Sequence, residues 1–434
     1  MANEIFTSNP AKKIDQDIAL SELGVLTKCV EQIYPVNVHL INIKGNRQEF
    51  VSGQAISNQR MFDAQRIELD AAHGIIIYGY SKLTHKQQKD VESLYQLIWP
   101  KTRRSLKQNI IYFLKTHPEQ ILVNFADALR KLYCGDDIHL RGLIEFSNYC
   151  GRNCLYCGLR KDNKEINRYR LSSNEIVDIT KSAVALNYQT IVLQSGEDNA
   201  YSIEQLCQII KEIKQQTSCA ITLSLGERSF SEYKKLRQAG ADRYLLRFET
   251  SNEQLFRKLK PDSDYQTRIQ CLKDLKQLGF QVGSGCMVGL PGQTKEILAE
   301  DILLMLELDL DMIGLGPFIP NPETPLNAAE KGTIEMMRKV IALVRILTRN
   351  THIPATTAVG SIDPQGRQKV LCCGANVIMP NLTPQQYREH YRIYPDKICI
   401  KEQPGDCHGG AAAMTISLGR TISQGFGHSF KTRK

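Results

Sequence analysis

The chain has one tryptophan in 434 residues, no apolar run of membrane-spanning length, and an odd count of cysteines, thirteen. A membrane-crossing helix needs about 20 consecutive apolar residues, so no segment is expected to span a bilayer. The first residues, MANEIFTSNPAKKIDQ, lack a basic stretch followed by an apolar one, so no secretory signal is expected. An odd cysteine count in a large chain without an export signal argues for a reducing cytoplasm and against a disulfide framework. The net charge of +9 is spread thinly, and the densest basic tracts, at 101–104 and 431–434, carry no interleaved aromatics. With so little base-stacking surface, nucleic-acid binding is not expected. What remains is an ordinary globular composition, 42% hydrophobic and 23% charged, long enough for one large domain and a smaller one.

Two parts are visible along the chain. Residues 1–105 hold strand-like runs at Val36–Ile43 and Gly74–Gly79 and an amphipathic helix at His85–Trp99. They predict a small α/β module of a sensory or docking kind, such as a GAF-like fold, with no chemical motif. Lys101 to Gln108 reads as a linker. From about 109 to 430, short apolar strands alternate with helical stretches. The strands are His139–Phe146, Thr190–Gln194, Ala220–Leu225, Arg243–Phe248, Gln281–Val288, Asp311–Phe318, Ile353–Val359 and Asn376–Met379. Eight strand–helix units predict an α/β chain folded as a (β/α)8 barrel of the TIM type, in preference to a doubly wound open sheet. Catalytic groups then belong in the loops after the strands.

Directly after the first of these strands stands SNYCGRNCLYCGLR, residues 147–160, which places Cys150, Cys154 and Cys157 at C-x3-C-x2-C spacing. Thiolates are soft ligands suited to zinc or an iron–sulfur cluster. Zinc wants a fourth ligand, and no Cys or His follows closely. Three thiolates on a cubane leave one iron open to a further ligand. Gly151 and Gly158 are expected to let the backbone wrap a bulky group.

This spacing after a first barrel strand, with the aromatic Tyr156, resembles the signature of the radical S-adenosylmethionine superfamily. The resemblance implies a 4Fe-4S cluster on the three cysteines, S-adenosylmethionine on the fourth iron, and reductive cleavage to methionine and a 5′-deoxyadenosyl radical. Gln194-Ser195-Gly196-Glu197 resembles the superfamily segment that meets the cofactor's amino group. Arg247-Phe248-Glu249 ends the fourth strand and Arg268 begins a helix beyond it. Opposite charges at a strand end are costly to bury without a ligand, and an aminoacyl group would suit Arg268 by its carboxylate and Glu249 by its ammonium. Val288 and Gly289, in the glycine-rich stretch 283–294, would face an adenine. The proline-rich segment Gly316–Leu326 is expected to form a stiff loop, with Met312, Ile319 and Met379 lining an apolar cavity.

Further segments narrow the resemblance. CGLRKDN, LQSGED, LSLGE, ADRYLLRFET, MVGLPGQT, GPFIP, IPATTA, CGANVIMPNLTP and YRIYPDKIC are similar to the FeFe-hydrogenase maturase HydE family, itself related to biotin synthase and methylornithine synthase. The similarity runs from about residue 110 to 405. It implies a role in building the two-iron part of the hydrogenase cofactor from an iron–cysteine species bearing carbon monoxide and cyanide. The implied partners are the maturases HydG and HydF and an electron donor. The positions matching the family's substrate cavity are Thr222, Arg247, Met312, Met379, Tyr391 and Tyr394. Some family members carry a second cluster on three C-terminal cysteines. Here Cys399 and Cys407 match two, and Gly410 stands at the third, so a second cluster is not expected even with His408 adjacent. The neighbours Cys372 and Cys373 read as buried filler. The alternative is a paralogue or methylornithine-synthase-like enzyme acting on an organic amino acid.

Overall fold

The computed structural model describes residues 16–431 apart from 35, 45–46, 51–63, 69–72, 79, 99, 101, 117–118 and 401–403. The N-terminal part is a four-stranded antiparallel sheet of β1 (Asn37–Lys44), β2 (Arg47–Phe50), β3 (Ala64–Glu68) and β4 (His73–Tyr78), in the order β2-β1-β4-β3. Helix α1 (Gln16–Ile33) precedes it and α2 (His85–Ile98) follows. Sequence reasoning found β1, β4 and α2 but not α1, β2 or β3. Gly79 and Trp99, the ends of two expected elements, lie outside the described residues. The expected linker is largely helix. Thr102 caps α3 (Arg103–Lys115) in a capping box with Ser105, and Arg103 pairs with Glu300 and Glu307, each at 2.7 Å. Helix α4 (Glu119–Cys134) then packs on α1, and buried Glu22 of α1 pairs with Arg349 beyond it. One continuous apolar cluster runs through both parts.

The larger part is the expected barrel. Strands β5 (Asp137–Ser147), β6 (Thr190–Ser195), β7 (Ala220–Ser224), β8 (Arg243–Leu245), β9 (Gln281–Ser284) and β11 (Met312–Ile313) pair in parallel, each with its predecessor. On its other side β5 pairs with β13 (Val377–Ile378). The seventh stave differs from the expectation. Ile353–Val359 is not a strand: only isolated bridges, Met312↔His352 and Pro354↔Val377, join β11 to β13, and Thr357–Ile362 is helical. Pro354 has no N–H to donate to a ladder, which shortens the pairing. The fifth and sixth expected strands each break in two. Their outer halves, β10 (Met287–Val288) and β12 (Gly316–Pro317), form a separate pair. The break falls where Gly285 meets Gly314, whose carbonyl oxygen would lie 2.2 Å from a Cβ on Gly285.

Local signals set the helix starts. Ser172, Ser202 and Ser229 each accept a backbone N–H three residues on, and Glu175, Gln205 and Glu232 reach back to the cap. Such reciprocal caps satisfy two orphan N–H groups apiece, and losing a cap residue costs about 0.5–2 kcal/mol. They end the long loops that carry the site. The opposite end of the barrel is covered by the C-terminal tail. There β14 (Thr421–Ile422) pairs with the start of β5, and Arg243 donates to the Phe426 carbonyl at 2.6 Å. Among the described residues, no helix is long and apolar enough to cross a membrane.

Candidate active site

The chain leaves β5 at Ser147 and turns into the cysteine loop, which is fastened by two buried or half-buried polar residues. Asn148 donates from Nδ2 to the carbonyls of Asn167 and His390, both at 2.7 Å, and accepts the Tyr169 N–H at 2.7 Å. Arg168 donates to the Leu159 and Arg160 carbonyls at 3.0 and 2.8 Å. The two loop glycines play unequal parts. A Cβ on Gly158 would lie 1.9 Å from the Arg392 oxygen, whereas one on Gly151 would touch only the Glu197 oxygen, at 3.5 Å. Close approach therefore requires Gly158 but not Gly151.

Cys150, Cys154 and Cys157 line one cavity of about 330 Å³ at the strand ends. None of the three is in a disulfide. Burial pushes the Cys157 thiol up, and the neighbouring Cys154 and Cys150 push it further. Burial raises Cys150 as well. Three thiolates crowded in a cavity are unstable without a compensating cation, the condition a cationic cluster meets. The backbone fits as well. The Glu197 N–H points at Cys150 Sγ at 3.4 Å, and Gly196 is pressed so close that a Cβ would lie 2.7 Å from Cys150 Cβ. The donor set, the N–H aimed at sulfur and the cradle emptied of side chain suit an iron–sulfur cubane.

The other sequence-derived positions divide into two groups. Tyr156, Gln194, Ser195, Gly196 and Glu249 line the cavity with the cysteines. Glu197, Arg268, Val288 and Gly289 do not. Arg268 instead pairs with Glu227 at 2.7 Å and Glu197 at 3.5 Å, and Arg152 pairs with the same two carboxylates at 2.7 and 2.6 Å. Sequence reasoning missed Arg152 and Glu227, although both sit in quoted motifs, CGRNC and LSLGE. Gly226 belongs to the same arrangement: its φ is +76°, and a Cβ there would lie 1.9 Å from Glu197 Cγ. Val288 is fully buried in the β10–β12 pair. Gly289, at φ +90°, is packed against the Gly332 backbone, which would lie 2.6 Å from a Cβ there.

Glu249 is the one strained residue in the cavity wall, with φ of +67°. Non-glycine residues held there are costly and concentrate at functional sites. Its backbone is fixed by Gly285 and Met287, its N–H donating to the Gly285 oxygen at 3.0 Å and its carbonyl accepting at 3.1 Å. Arg247 lies 3.3 Å from Glu249 Oε2 and donates to the Cys286 carbonyl at 2.6 Å. Arg247 Nε and Glu249 Oε2 remain buried without a hydrogen bond. A zwitterionic ligand would satisfy both.

Of the substrate-cavity positions expected from the sequence, Arg247, Met312, Ile319, Met379, Tyr391 and Tyr394 line the same cavity. Thr222 does not; it is fully buried within β7, its hydroxyl without a partner. Two residues that sequence reasoning did not single out, Glu145 and Lys397, also line it. Near the C-terminus, Arg388 reaches toward Cys407 Sγ at 3.9 Å and donates to the Cys399 carbonyl at 3.3 Å. The His408 ring packs edge-on against Tyr188 at 5.1 Å, and Gly410 is exposed. Cys373 is buried and donates to the Lys369 carbonyl at 2.9 Å, but Cys372 is exposed, so only the former is filler.

Comparison with known proteins extends these observations. Residues 144–305 match the Radical SAM superfamily model. The chain is 51% identical over 308 residues to the FeFe-hydrogenase maturase subunit HydE of Thermotoga maritima, covering 71% of this chain and 88% of that protein. It is 29% identical over 255 residues to 3-methylornithine synthase of Methanosarcina acetivorans, covering 58% and 72%. The crystal structure of methylornithine synthase PylB superposes with a TM-score of 0.67 at 23% identity, over 76% of this chain and 97% of that one. The maturase HydG superposes with 0.65 at 18% identity, over 80% and 77%. At these identities the two structures speak for the fold, a radical SAM barrel. The superfamily match implies a 4Fe-4S cluster and S-adenosylmethionine and marks the chain as an enzyme. With half its positions shared over most of a maturase's length, this chain belongs to the HydE family of radical S-adenosylmethionine enzymes.

Proposed function

We propose that this chain cleaves S-adenosylmethionine reductively at a 4Fe-4S cluster held by Cys150, Cys154 and Cys157. We propose further that it acts in assembly of the two-iron subcluster of FeFe-hydrogenase, on an iron–cysteine precursor bearing carbon monoxide and cyanide. The observation that carries the reading is that the three thiols share one cavity with an incompletely hydrogen-bonded Arg247–Glu249 pair, in a chain 51% identical to HydE. When bound, the cluster supplies a low-potential electron and one iron free of protein thiolate, where S-adenosylmethionine is activated.

The chain's own residues hold and shield. Glu249 offers its carboxylate to the cofactor's ammonium, and the Gln194–Glu197 turn sets its backbone against the cysteine loop. Arg268 offers its guanidinium to the cofactor's carboxylate, exchanging part of its pairing with Glu197 and Glu227. Tyr156 stays protonated, since burial drives its hydroxyl far up. Val288 and Gly289 act as spacers in this reading, setting the β10–β12 edge rather than touching the adenine. The tail over the barrel floor keeps water from entering below, and Met312, Ile319 and Met379 present an apolar surface to the cavity. Arg247, Tyr391 and Tyr394 anchor the substrate's polar groups.

A single cluster is proposed, because Arg388 already occupies the space beside Cys399 and Cys407 and Gly410 offers no thiolate. The partners proposed are HydG, HydF and an electron donor, in the cytoplasm. A second reading, a methylornithine-synthase-like enzyme on an organic amino acid, is supported by the 29% identity over 255 residues to 3-methylornithine synthase of Methanosarcina acetivorans.

The test is anaerobic reconstitution followed by reduction with S-adenosylmethionine. Wild-type protein should hold about four irons per chain and release 5′-deoxyadenosine. The combined Cys150→Ala, Cys154→Ala and Cys157→Ala variant should do neither. Wild-type iron in that variant would end the proposal. Maturation of apo-hydrogenase with the iron–cysteine precursor, against turnover of an amino acid alone, separates the two readings.

A further inference from the structure

Glu145 and Lys397 form a second cation–carboxylate pair in the cavity wall, apart from Arg247 and Glu249. Both side chains are nearly inaccessible, 1% and 7% exposed. Breaking such a pair is costly, yet replacing both members by apolar residues often is not, so a buried pair in a cavity calls for a role beyond stability.

Glu145 is immobile. Its N–H donates to Thr383 Oγ1 at 2.8 Å, and its Oε2 accepts from Asn381 Nδ2 at 2.9 Å. Its Oε1 accepts from Lys397 Nζ. A carboxylate has about four acceptor sites, so this one retains capacity. Lys397 is less satisfied. An ammonium has three donors, and Glu145 takes one. Its other close neighbour is the face of the Tyr391 ring, with Nζ 5.0 Å from the centroid. Spare donors and spare acceptor sites thus stand side by side on the cavity.

The backbone is bent to deliver this lysine. Asp396 and Cys399 both lie in the left-handed region, at φ of 52° and 64°. The segment is also wedged in place: a Cβ on Gly360 would lie 2.5 Å from Ile398 Cδ1. Strain on both sides of one buried charged residue is what a functional constraint leaves.

We infer that Glu145 and Lys397 recognise a zwitterionic α-amino-acid group on the substrate, its carboxylate on the spare Lys397 donors and its ammonium on Glu145. A neutral zwitterion laid antiparallel to a neutral ion pair adds attraction at both ends without adding net charge to a desolvated site. An isolated anion or cation would leave one end repelled. The inference rests on the reading of this cavity as the reaction chamber, and it assigns the amino-acid end of the substrate to the wall between β5 and the C-terminal segment.

The test uses reconstituted holoenzyme with S-adenosylmethionine bound, titrated anaerobically by calorimetry with L-cysteine, cysteamine and 3-mercaptopropionate. The last two lack the carboxylate and the ammonium respectively. Wild type should prefer L-cysteine over each by roughly tenfold or more, the worth of one charge-assisted hydrogen bond. The double variant Glu145→Gln/Lys397→Met leaves no lone buried charge. It should bind all three thiols alike while keeping its affinity for S-adenosylmethionine. Lys397→Arg, which keeps charge and donors, should retain a preference and remains informative if the double variant does not fold. The inference is overturned if wild type shows no preference, if the preference survives in the double variant, or if affinity for S-adenosylmethionine falls in step with that for L-cysteine. Loss of 5′-deoxyadenosine formation in wild type would instead count against the enzymatic reading.

Discussion

Replacing Gly196 by alanine tests whether the turn after β6 and the cysteine loop form one mechanical unit. A Cβ at this position would lie 2.2 Å from the Tyr149 carbonyl oxygen and 2.7 Å from Cys150 Cβ, where real Cβ contacts essentially never fall under 3.0 Å. One obstacle is backbone and the other is the carbon bearing a proposed cluster sulfur, so neither can swing aside as a flexible side chain would. One of the two loops must retreat by most of an ångström. Three contacts lock them: Gly196 N–H to Ser147 O at 3.2 Å, Gly151 N–H to Glu197 O at 2.9 Å, and Glu197 N–H to Cys150 Sγ at 3.4 Å. Overpacking costs about 1–3 kcal/mol, and each backbone bond lost adds about 0.5–1.5 kcal/mol, so the expected loss is about 2–5 kcal/mol. Urea unfolding of metal-free protein measures it, and iron content after reconstitution should fall with it. Gly151→Ala is the control inside the same motif, because its nearest contact, 3.5 Å to Glu197 O, is ordinary. If Gly196→Ala unfolds and loads iron as Gly151→Ala does, the coupling of the two loops is wrong.

Other expectations follow from the same geometry. Arg268→Ala should weaken S-adenosylmethionine binding and, by leaving Glu227 without one buried partner, cost about 3–5 kcal/mol of stability; unchanged affinity in an equilibrium titration would remove its proposed role. Gly226→Ala should displace Glu197, since the added Cβ would lie 1.9 Å from Glu197 Cγ, and so disturb its pairing with Arg152 and Arg268; a crystal structure of the variant with both ion pairs intact would contradict this. His139, under the barrel floor, has its pKa pushed down to about 4 from 6.5, by burial first and by Arg141 second. The unfolded chain therefore binds more protons between pH 4 and 6.5, so stability is full above that window and is lost as pH falls through it. A drop of about 2.5 in pKa corresponds to about 3 kcal/mol, and the unfolding free energy of wild type minus that of His139→Leu, each from urea titration, should fall by an amount of that order between pH 7 and pH 4.5.

The barrel was legible because its signals are local. Strand–helix alternation is written in the hydrophobic pattern, and Ser172, Ser202 and Ser229, each followed three residues on by Glu or Gln, mark helix starts. The elements that failed were those whose limits are set by something distant. The strand expected at Ile353–Val359 gave way to bridges and a helix, and the strands around Gly285 and Gly314 broke because those two backbones meet across the sheet. The expected linker became helix α3, docked by Arg103 onto Glu300 and Glu307. No pattern within eight residues announces ion pairs formed about two hundred positions away.

The site divides in the same way. By itself the sequence determined that three soft ligands stand together in one tight loop, because C-x3-C-x2-C spacing constrains the sulfurs wherever the loop lies. It also placed that loop at a strand end, through the apolar run just before it. Only the tertiary structure decided what faces them. It set Glu249 in a left-handed conformation at the cavity, withdrew Arg268 into a group with Arg152, Glu197 and Glu227, and brought Lys397 from beyond β13 onto Glu145. The physical reason is that covalent spacing fixes neighbours within a loop, whereas the partner of a buried charge is chosen by how the chain closes on itself.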